Sequence, residues 1–327
     1  MPKPHISVAL CTYNGARFLA EQLESIAHQT RPPDELIVCD DLSSDETVEI
    51  IKAFAGRVAY PVRLEINQSR LGSIKNFEKA INTCQGDIIS LADQDDLWKP
   101  QKLAVLEHAL QDHPKAGYVF SDAELIDECG APLRATLWES IRFTDSARRS
   151  FAGSGQVARL LYRNAATGAT MAFRSDLRNV VLPISLFCVH DYWIALLSSA
   201  LGLYGVPTSE RLILYRQHGG QQIGARRMSI LNKIRWCREA GLSEYSNRTQ
   251  IYMDIKERLL VAAREGRDYP AEHLPLIEEK IRHCSQRAAA HSVRGTKKIG
   301  KVFSEVLTGR YGRYSNSWQS VVEDLCF

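Results

Sequence analysis

Three carboxylates cluster in the segment 91–98, Leu-Ala-Asp-Gln-Asp-Asp-Leu-Trp, directly after the apolar run of residues 88–91. Carboxylates this close repel one another, and each raises the pKa of its neighbours. A hard divalent cation relieves that repulsion, and magnesium in proteins typically takes one or two carboxylates plus substrate phosphates. Asp93, Asp95 and Asp96 therefore predict a platform for a metal-bound nucleotide diphosphate. The alternative is an acidic N-cap for a helix that begins near residues 99–101.

The elements that must position this cluster alternate between strands and helices. Strands are predicted over residues 6–11, 36–39, 63–66 and 88–91, and helices over residues 17–28, from a Ser43/Glu46 capping box to Phe54, and over residues 73–84. This alternation is typical of parallel βαβ units, whose ligands lie beyond the carboxyl ends of the strands. Tyr13, Asp41 and the acidic cluster all follow such strand ends, so we expect them to line one crevice.

Over residues 5–110 the chain resembles the family 2 glycosyltransferases, which have the GT-A fold. The matching elements are Thr12-Tyr13-Asn14, Gln29-Thr30, Asp40-Asp41-x-Ser43-x-Asp45, Gly72-x-x-x-Asn76 and Asp93-x-Asp95-Asp96. A single Asp-x-Asp is a weak signal, whereas five ordered elements are a strong one. The acidic segment and the later Tyr-Arg-Gln-His-Gly-Gly of residues 215–220 most resemble the bacterial rhamnosyltransferase-like branch.

The resemblance implies a donor site for a dTDP- or UDP-sugar with Mg²⁺ or Mn²⁺. Asp95 would hold the metal, and His218 would complete the metal site or else be a structural histidine. Tyr13 would stack on the pyrimidine ring, and Asp41 would accept a hydrogen bond from the ring imide. The residues implied in donor binding are Thr12, Tyr13, Asn14, Asp41, Asn76, Asp93, Asp96 and Arg216.

The segment His190-Asp191-Tyr192-Trp193 is the second motif of the resemblance, which implies that Asp191 is the general base. An alcohol must lose its proton as it attacks the anomeric carbon, and a positioned carboxylate accelerates such a step by about 10²–10⁴-fold. Asp191 could also cap the helix that follows, and the two roles are compatible. His190 is either a support for Asp191 or a structural histidine.

Two segments between these motifs are ambiguous. Residues 131–155 are polar and poorly periodic, which indicates a mobile loop over the site or, somewhat better, an ordinary surface excursion. Thr167 stands in a stretch that matches a family element, where it could contact a sugar or simply open a strand.

Composition favours a cytoplasmic enzyme. The 327 residues carry a net charge of +3, which gives no argument for nucleic-acid binding. The eight cysteines form no Cys-x-x-Cys pair and are expected to be reduced thiols. No stretch offers the ~18 consecutive apolar residues of a membrane-spanning helix, which disfavours a processive polysaccharide synthase.

The predicted catalytic domain covers residues 1–223, and a helical appendage follows over residues 224–327. Breaks in the helical pattern are expected near Tyr269-Pro270 and Leu274-Pro275. Residues 293–313 resemble a basic amphipathic helix, with Val302, Phe303, Val306 and Leu307 on one side. Such a helix fits peripheral contact with the inner face of the cytoplasmic membrane, but a solvated face or a packing helix of a homo-oligomer is the commoner case.

These observations predict an inverting, metal-dependent transferase. It would move a sugar, rhamnose being one candidate, to a hydroxyl of a glycan or lipid-linked oligosaccharide in cell-surface polysaccharide synthesis. A nucleotide-binding oxidoreductase is disfavoured because no Gly-x-Gly-x-x-Gly follows the first strand. The remaining alternative is a non-catalytic sugar-nucleotide-binding or scaffolding protein derived from such a transferase.

Overall fold

The computed structural model describes residues 3–151, 155–219 and 230–326, and for residues 230–244 it describes the backbone alone. The described residues form two compact units. The first contains residues 3–148, 165–198 and 203–219, and the second contains residues 149–151, 155–164, 199–202 and 230–326. The predicted domain boundary after residue 223 and the motif residue Gly220 lie outside the described residues.

The first unit begins with four parallel strands whose side chains are mostly apolar and buried. These are β1 (Ile6–Thr12), β2 (Glu35–Asp40), β3 (Val62–Ile66) and β4 (Ile88–Ala92), joined by α1 (Ala16–Ala27), α2 (Thr47–Ala55) and α3 (Ser73–Thr83). They pair in the order β3-β2-β1-β4. The parallel βαβ arrangement predicted for this half of the sheet is confirmed.

One local prediction in this region is wrong. Helix α2 begins at Thr47 without a side-chain cap, so Ser43 and Glu46 do not form a capping box. The Ser43 hydroxyl instead donates to Asp40 Oδ2 at 2.6 Å. The Ser43 backbone N–H also donates to Asp40, at Oδ1, so the buried carboxylate at the end of β2 holds Ser43 by two hydrogen bonds before the helix begins.

The second half of the sheet is mixed. It contains β5 (Leu97–Trp98), β6 (Ala116–Asp127), β7 (Pro132–Thr136), β8 (Met171–Arg174) and β9 (Tyr204–Gln217), with α4 (Lys102–Asp112) between β5 and β6. The full order is β3-β2-β1-β4-β8-β6-β9-β5, and β7 pairs with β6. Strand β8 runs antiparallel to both β4 and β6, whereas β6 and β9 are parallel.

The polar segment after β6 contains regular secondary structure within its described residues 131–151, and a loop over the site stays a prediction. It contains β7, α5 (Leu137–Ser140) and α6 (Asp145–Ser150), and α7 (Gly155–Tyr162) follows. Trp138 and Phe143 are buried and pack edge-to-face, with ring centroids 5.1 Å apart. Two aromatic residues among polar neighbours therefore anchor this segment.

Further helices complete the described chain. They are α8 (Arg178–Val181), α9 (His190–Ala200), α10 (Ile230–Arg264), α11 (His273–His291), α12 (Thr296–Leu307), α13 (Arg310–Tyr314) and α14 (Trp318–Cys326). The break predicted near Pro270 separates α10 from α11. The second predicted break is wrong, because Pro275 lies in the first turn of α11, where proline is tolerated. None of the described helices is long and apolar enough to cross a membrane.

The second unit is held by buried ion pairs as well as by apolar contacts. The buried Asp324 carboxylate accepts two hydrogen bonds from Arg287, at 2.6 and 2.7 Å, and one from Tyr311 at 2.6 Å. Glu305 of α12 is also buried and pairs with His283 and Arg310. The inward face of α12 is thus Val302 and Glu305.

The outward face of α12 is apolar, and this corrects the predicted grouping of Val302 with its neighbours. Val302 is 1% exposed, whereas Phe303 is 59% and Leu307 is 88% exposed. Burial of Glu305 fixes this rotation, because an ion pair inside the unit requires the opposite side of the helix to face outward. Helix α14 likewise exposes Trp318 and Val322.

Candidate active site

Thr12 and Asn14 connect the end of β1 to the loop that follows β2. The Thr12 hydroxyl donates to Asp40 Oδ2 at 2.7 Å. The backbone N–H of Asn14 donates to the Ser43 hydroxyl at 2.9 Å, and the Asn14 side-chain oxygen accepts from the backbone N–H of Ser44 at 2.8 Å. Both predicted donor-site residues therefore shape the loops at this end of the sheet.

Tyr13 lies between these two residues and presents its ring to Arg70. The Arg70 guanidinium carbon is 3.8 Å from the ring centroid. The Gln94 side chain accepts from the Tyr13 N–H at 2.8 Å and donates to the Tyr13 carbonyl at 3.1 Å. Neither Arg70 nor Gln94 was predicted as a site residue. Gln94 stands inside the acidic motif, whereas no local signal in the sequence marks Arg70.

Asp41 and Asn76 belong to one buried network. Asp41 accepts from the backbone N–H groups of Leu71 and Gly72, at 2.7 and 2.8 Å, and from the side chain of Asn67 at 2.9 Å. Asn76 accepts from the same Asn67 amide at 2.9 Å and donates to a β2 carbonyl. Asn76 thus supports Asp41 through Asn67.

The acidic loop lies between β4 and β5, as predicted from the apolar run before it. Its carboxylates do not cap α4, which begins at Lys102 with Gln101 as an N-cap residue that makes no side-chain cap bond, so the capping alternative is wrong. Burial, the Asp95 charge and the Asp191 charge raise the pKa of Asp93 to about 7. Asp93 and Asp191, 98 residues apart in sequence, therefore share one electrostatic environment.

Asp96 is the most deeply buried carboxylate of the loop. Its Oδ1 accepts from the Arg216 backbone N–H at 2.9 Å, whereas its Oδ2 is buried without a hydrogen-bond partner among the described residues. Burial, followed by the charges of Asp95 and Asp93, raises the pKa of Asp96 well above its ordinary range. An unpaired buried carboxylate oxygen of this kind is costly unless a cation or proton compensates it.

Asp95 makes two contacts with residues at the end of β9. Its Oδ2 lies 2.7 Å from His218 Nε2, and its backbone carbonyl accepts from Arg216 Nε at 2.9 Å. A second Arg216 nitrogen donates to Glu21 at 2.7 Å. The guanidinium of Arg216 thus holds the acidic loop in place, and the phosphate contact predicted for it stays a prediction.

The side chains present fit a divalent cation that is completed by its substrate. Among the described side chains of residues 3–151, 155–219 and 245–326, no three His, Cys, Asp or Glu residues converge as a ligand set. Asp95 and His218 supply one carboxylate and one imidazole side by side, and Asp96 of the same loop has one buried oxygen without a hydrogen-bond partner. Magnesium sites of this sparse kind obtain their remaining ligands from phosphate oxygens and water.

Asp191 lies in the first turn of α9, and its Oδ2 accepts from the Gly168 N–H at 2.8 Å. Gly168 begins a 3₁₀ turn, Gly168–Thr170, in front of β8. A Cβ at Gly168 would lie 2.6 Å from His190 Nε2, so glycine permits this close approach. The predicted base is therefore held by the backbone turn before β8, and because β8 runs antiparallel to β4 this turn lies at the edge of the sheet where β4 ends. Thr167 precedes this turn, and its contact with a sugar stays a prediction.

His190 is a neutral support under this turn. Its ring stacks on Phe77 with centroids 3.8 Å apart, and burial lowers its pKa to about 3. His190 Nε2 is buried without a hydrogen-bond partner among the residues that the structure describes. From sequence, His190 was either a support for Asp191 or a structural histidine. Its stacking and burial favour a structural histidine that packs beside Asp191.

The chain is similar to known proteins mainly over its N-terminal half. Residues 7–157 match the family model described as Glycosyl transferase family 2. The uncharacterized protein Rv1520 of Mycobacterium tuberculosis is 32% identical over 128 residues, 38% of this chain and 37% of that protein. The chain thus spans little more than a third of the first curated relatives' length. The dTDP-rhamnosyl transferase RfbG of Shigella flexneri is 25% identical over 233 residues, 66% of this chain and 74% of that protein.

Solved structures extend the likeness over most of the chain. S. aureus TarS in complex with UDP-GlcNAc gives a TM-score of 0.55 at 16% identity and covers 95% of this chain and 93% of that chain. The mannosyltransferase PcManGT from Pyrobaculum calidifontis, in complex with GDP-Man and Mn²⁺, gives 0.54 at 18% identity and covers 99% and 85%. These likenesses confirm the predicted GT-A fold.

Proposed function

Because residues 7–157 match the family model described as Glycosyl transferase family 2, we propose that this chain transfers a sugar from a nucleotide-diphosphate donor to a hydroxyl group. One observation carries the proposal: β8 pairs antiparallel to β4, so the Gly168 turn that binds Asp191 lies at the end of β4 where the acidic loop begins. In keeping with this placement, the charge of Asp191 raises the pKa of Asp93. A donor diphosphate at the loop and a base opposite it are the two parts that such a transfer needs.

The proposed donor is a dTDP- or UDP-sugar, with rhamnose as a candidate sugar. Tyr13 offers an aromatic ring at the strand ends, and the Arg70 guanidinium lies against it. A pyrimidine would stack on the ring, while Asp41 would accept from its imide. The relative named as a dTDP-rhamnosyl transferase supports rhamnose, and the structural neighbour that binds UDP-GlcNAc supports a pyrimidine nucleotide.

We propose that Asp95 and His218 hold a Mg²⁺ or Mn²⁺ ion, with Asp93 and Asp96 beside it. When bound, such an ion stabilises the negative charge of the departing diphosphate. Arg216 contributes by fixing the backbone of Asp95. The neighbouring structure with GDP-Man and Mn²⁺ supports a metal of this class.

Asp191 is the proposed general base in an inverting reaction. The backbone N–H of Gly168 donates to one oxygen of its carboxylate, Oδ2, and the backbone N–H of Tyr192 donates to the other, Oδ1, so the group is held in place at the start of α9. Asp191 would accept the proton of the acceptor hydroxyl as that oxygen attacks the anomeric carbon, on the face opposite the leaving diphosphate. The reaction needs no covalent nucleophile.

The proposed acceptor is a glycan or lipid-linked oligosaccharide of cell-surface polysaccharide synthesis, reached from the cytoplasm. Helix α12 turns Ile299, Phe303 and Leu307 outward. Glu305, the acidic residue of α12, is buried in an ion pair with Arg310, whereas Lys297, Lys298 and Lys301 of the same helix are exposed or half-buried. Exposed apolar and cationic groups together fit an anionic lipid surface, so we propose peripheral membrane contact through this face. The alternative is a homo-oligomer in which the apolar residues of this face pack against a second copy of the chain.

A nucleotide-sugar panel tests the proposed function directly. The full-length protein with Mn²⁺ is screened by thermal shift, since a ligand that binds only the native state raises the melting temperature. Stabilising donors are then assayed for release of the nucleoside diphosphate with soluble glycan acceptors, and the anomeric configuration of the product is read by NMR. If a donor stabilises the protein but is not turned over with any of the acceptors, a non-catalytic sugar-nucleotide-binding protein is favoured.

A further inference from the structure

Lys102 occupies a position that is unfavourable for a lysine. It is the first residue of α4, and it is 0% exposed. A cation at a helix N-terminus opposes the helix dipole, and burial removes the water that would solvate the ammonium group. Lysines are almost never fully buried unless they are paired, so the partners of Lys102 indicate why it is there.

Those partners come from both sides of the candidate active site. Lys102 Nζ donates to the carbonyl oxygen of Ala169 at 2.7 Å and lies 3.3 Å from the ring centroid of Trp98. Burial lowers its pKa, and the charges of Asp96 and Asp93 act in the opposite sense. The amine therefore stands between the acidic loop and the turn that precedes β8.

That turn also fixes the proposed base. Ala169 is the middle residue of the Gly168–Thr170 turn, and the Gly168 N–H donates to Asp191 Oδ2 at 2.8 Å. The gap between Gly168 and His190 is too small for a side chain. A small shift of the turn would therefore displace the hydrogen bond to Asp191.

We propose that Lys102 is a positioning residue that connects the acidic donor loop to the turn that orients Asp191. It acts on the reaction through the Ala169 carbonyl and not by contact with substrate. This inference rests on the proposed function for its effect on turnover, whereas its effect on the turn can be measured without turnover.

The test compares Lys102→Met and Lys102→Arg with a matched control, Lys99→Met, in the full chain. Lys99 lies three residues earlier and pairs with Glu124 at the half-exposed surface. Methionine keeps the approximate length of the side chain but loses the hydrogen-bond donor. We expect kcat to fall by about 10–100-fold, because a displaced turn would no longer hold Asp191 in the geometry that the reaction needs. The donor KM and the Mn²⁺ dissociation constant should stay close to their original values. Arginine retains a donor and should restore part of kcat, while Lys99→Met should change none of these quantities.

Hydrogen exchange supplies the readout that is independent of activity. The Gly168 amide should exchange faster in Lys102→Met than in the unaltered protein or in Lys99→Met, because the turn loses its anchor. Unchanged exchange, or a kcat that survives Lys102→Met, would overturn the inference. A parallel loss of Mn²⁺ binding, donor binding and kcat would also overturn it, since that pattern indicates a general structural role. If the unaltered protein transfers no sugar, the proposed function fails, and the exchange result alone decides the role of Lys102.

Discussion

His218 Nε2 lies 2.7 Å from Asp95 Oδ2 although the two residues are 123 positions apart in sequence. Each side chain retains only a small exposed fraction, 12% for His218 and 14% for Asp95. The pair joins the end of β9 to the acidic loop after β4. A cation that binds here would take the carboxylate and the imidazole nitrogen as ligands from two elements that are distant in the chain.

Asp95→Asn should abolish Mn²⁺-dependent donor binding and turnover while the fold is retained. The amide keeps the shape of the side chain but loses the charge that a divalent cation requires. Titration calorimetry of Mn²⁺ with and without nucleoside diphosphate measures the effect. Asp112→Asn, on the exposed end of α4, is the matched control and should behave as the unaltered protein. Full activity in the presence of EDTA would refute the metal assignment.

Asp191→Asn should lower kcat by about 10²-fold or more, since general-base catalysis contributes on this scale. Donor binding should be retained, because the substitution leaves the acidic loop and Tyr13 intact. Steady-state kinetics and donor titrations measure the two quantities separately. The exposed Asp176 offers a matched control as Asp176→Asn. A variant that loses donor affinity but keeps kcat would show that Asp191 is not the base.

Tyr13→Leu should raise the donor KM by about tenfold with little change in kcat at saturation, since stacking of a base on an aromatic ring contributes about 1–3 kcal/mol. A loss of ground-state and transition-state binding in equal measure gives this pattern. Kinetics over a range of donor concentrations measure it. An unchanged KM would place the nucleobase elsewhere than on the Tyr13 ring.

Asp324→Asn should destabilise the helical unit by about 3–5 kcal/mol, because it leaves the buried Arg287 charge without its partner. Urea unfolding at neutral pH measures the change in free energy. The double substitution Arg287→Met with Asp324→Leu removes both charges and should recover much of the loss. If the double variant is as unstable as the single one, loss of packing and not an unpaired charge explains the effect.

The same substitution predicts a pH dependence. Burial raises the pKa of Asp324, but hydrogen bonds from His291 and Arg287 outweigh burial and hold the pKa well below its ordinary range. A carboxyl group with a lowered folded-state pKa stabilises the fold above its unfolded pKa of about 4, and it loses this contribution as the pH falls towards the folded value. The difference in unfolding free energy between the unaltered protein and Asp324→Asn should therefore be largest near neutral pH and shrink below about pH 4. A constant difference down to low pH would contradict this assignment.

Phe303→Ser with Leu307→Ser should weaken binding to vesicles that contain phosphatidylglycerol. Both side chains are exposed on α12, and lysines at Lys297 and Lys301 lie on the same helix. Co-sedimentation at low and high salt measures the binding, which should fall as salt screens the charges. Met253→Ser changes an exposed apolar residue of α10 and is the control. A protein that ignores these vesicles but changes its sedimentation coefficient in the double variant would have an oligomer interface at this face.

The position of the acidic loop could be predicted from sequence because it depends on local features. An apolar run that fits a buried strand ends at Ala92, and Asp93 follows immediately. Alternation of strands and helices then brings Tyr13, Asp41 and Asp93 to the same edge of a parallel sheet, whatever their side chains contact. The order of the motifs along the chain was sufficient for this inference.

Two of the assignments that failed concern a residue next to the start of a helix. Ser43 has the sequence pattern of a capping residue, but it donates to Asp40. Pro275 is a helix breaker in most positions, yet it lies in the first turn of α11. In each case the outcome depends on the exact start of the neighbouring helix, which tertiary packing shifts by a few residues.

Sequence alone determined the family resemblance, the parallel half of the sheet and the carboxylates that follow its strands, because periodicity and strand-end position are local properties. Tertiary structure alone decided which of the polar groups are paired and which remain unpaired. Two long-range contacts show this: Lys102 is buried against Ala169, and His218 contacts Asp95. The outward face of α12 likewise depends on a buried partner elsewhere, His283, which pairs with Glu305. The physical reason is that burial and hydrogen bonding act between neighbours in space, and a linear sequence does not specify those neighbours until the chain has folded.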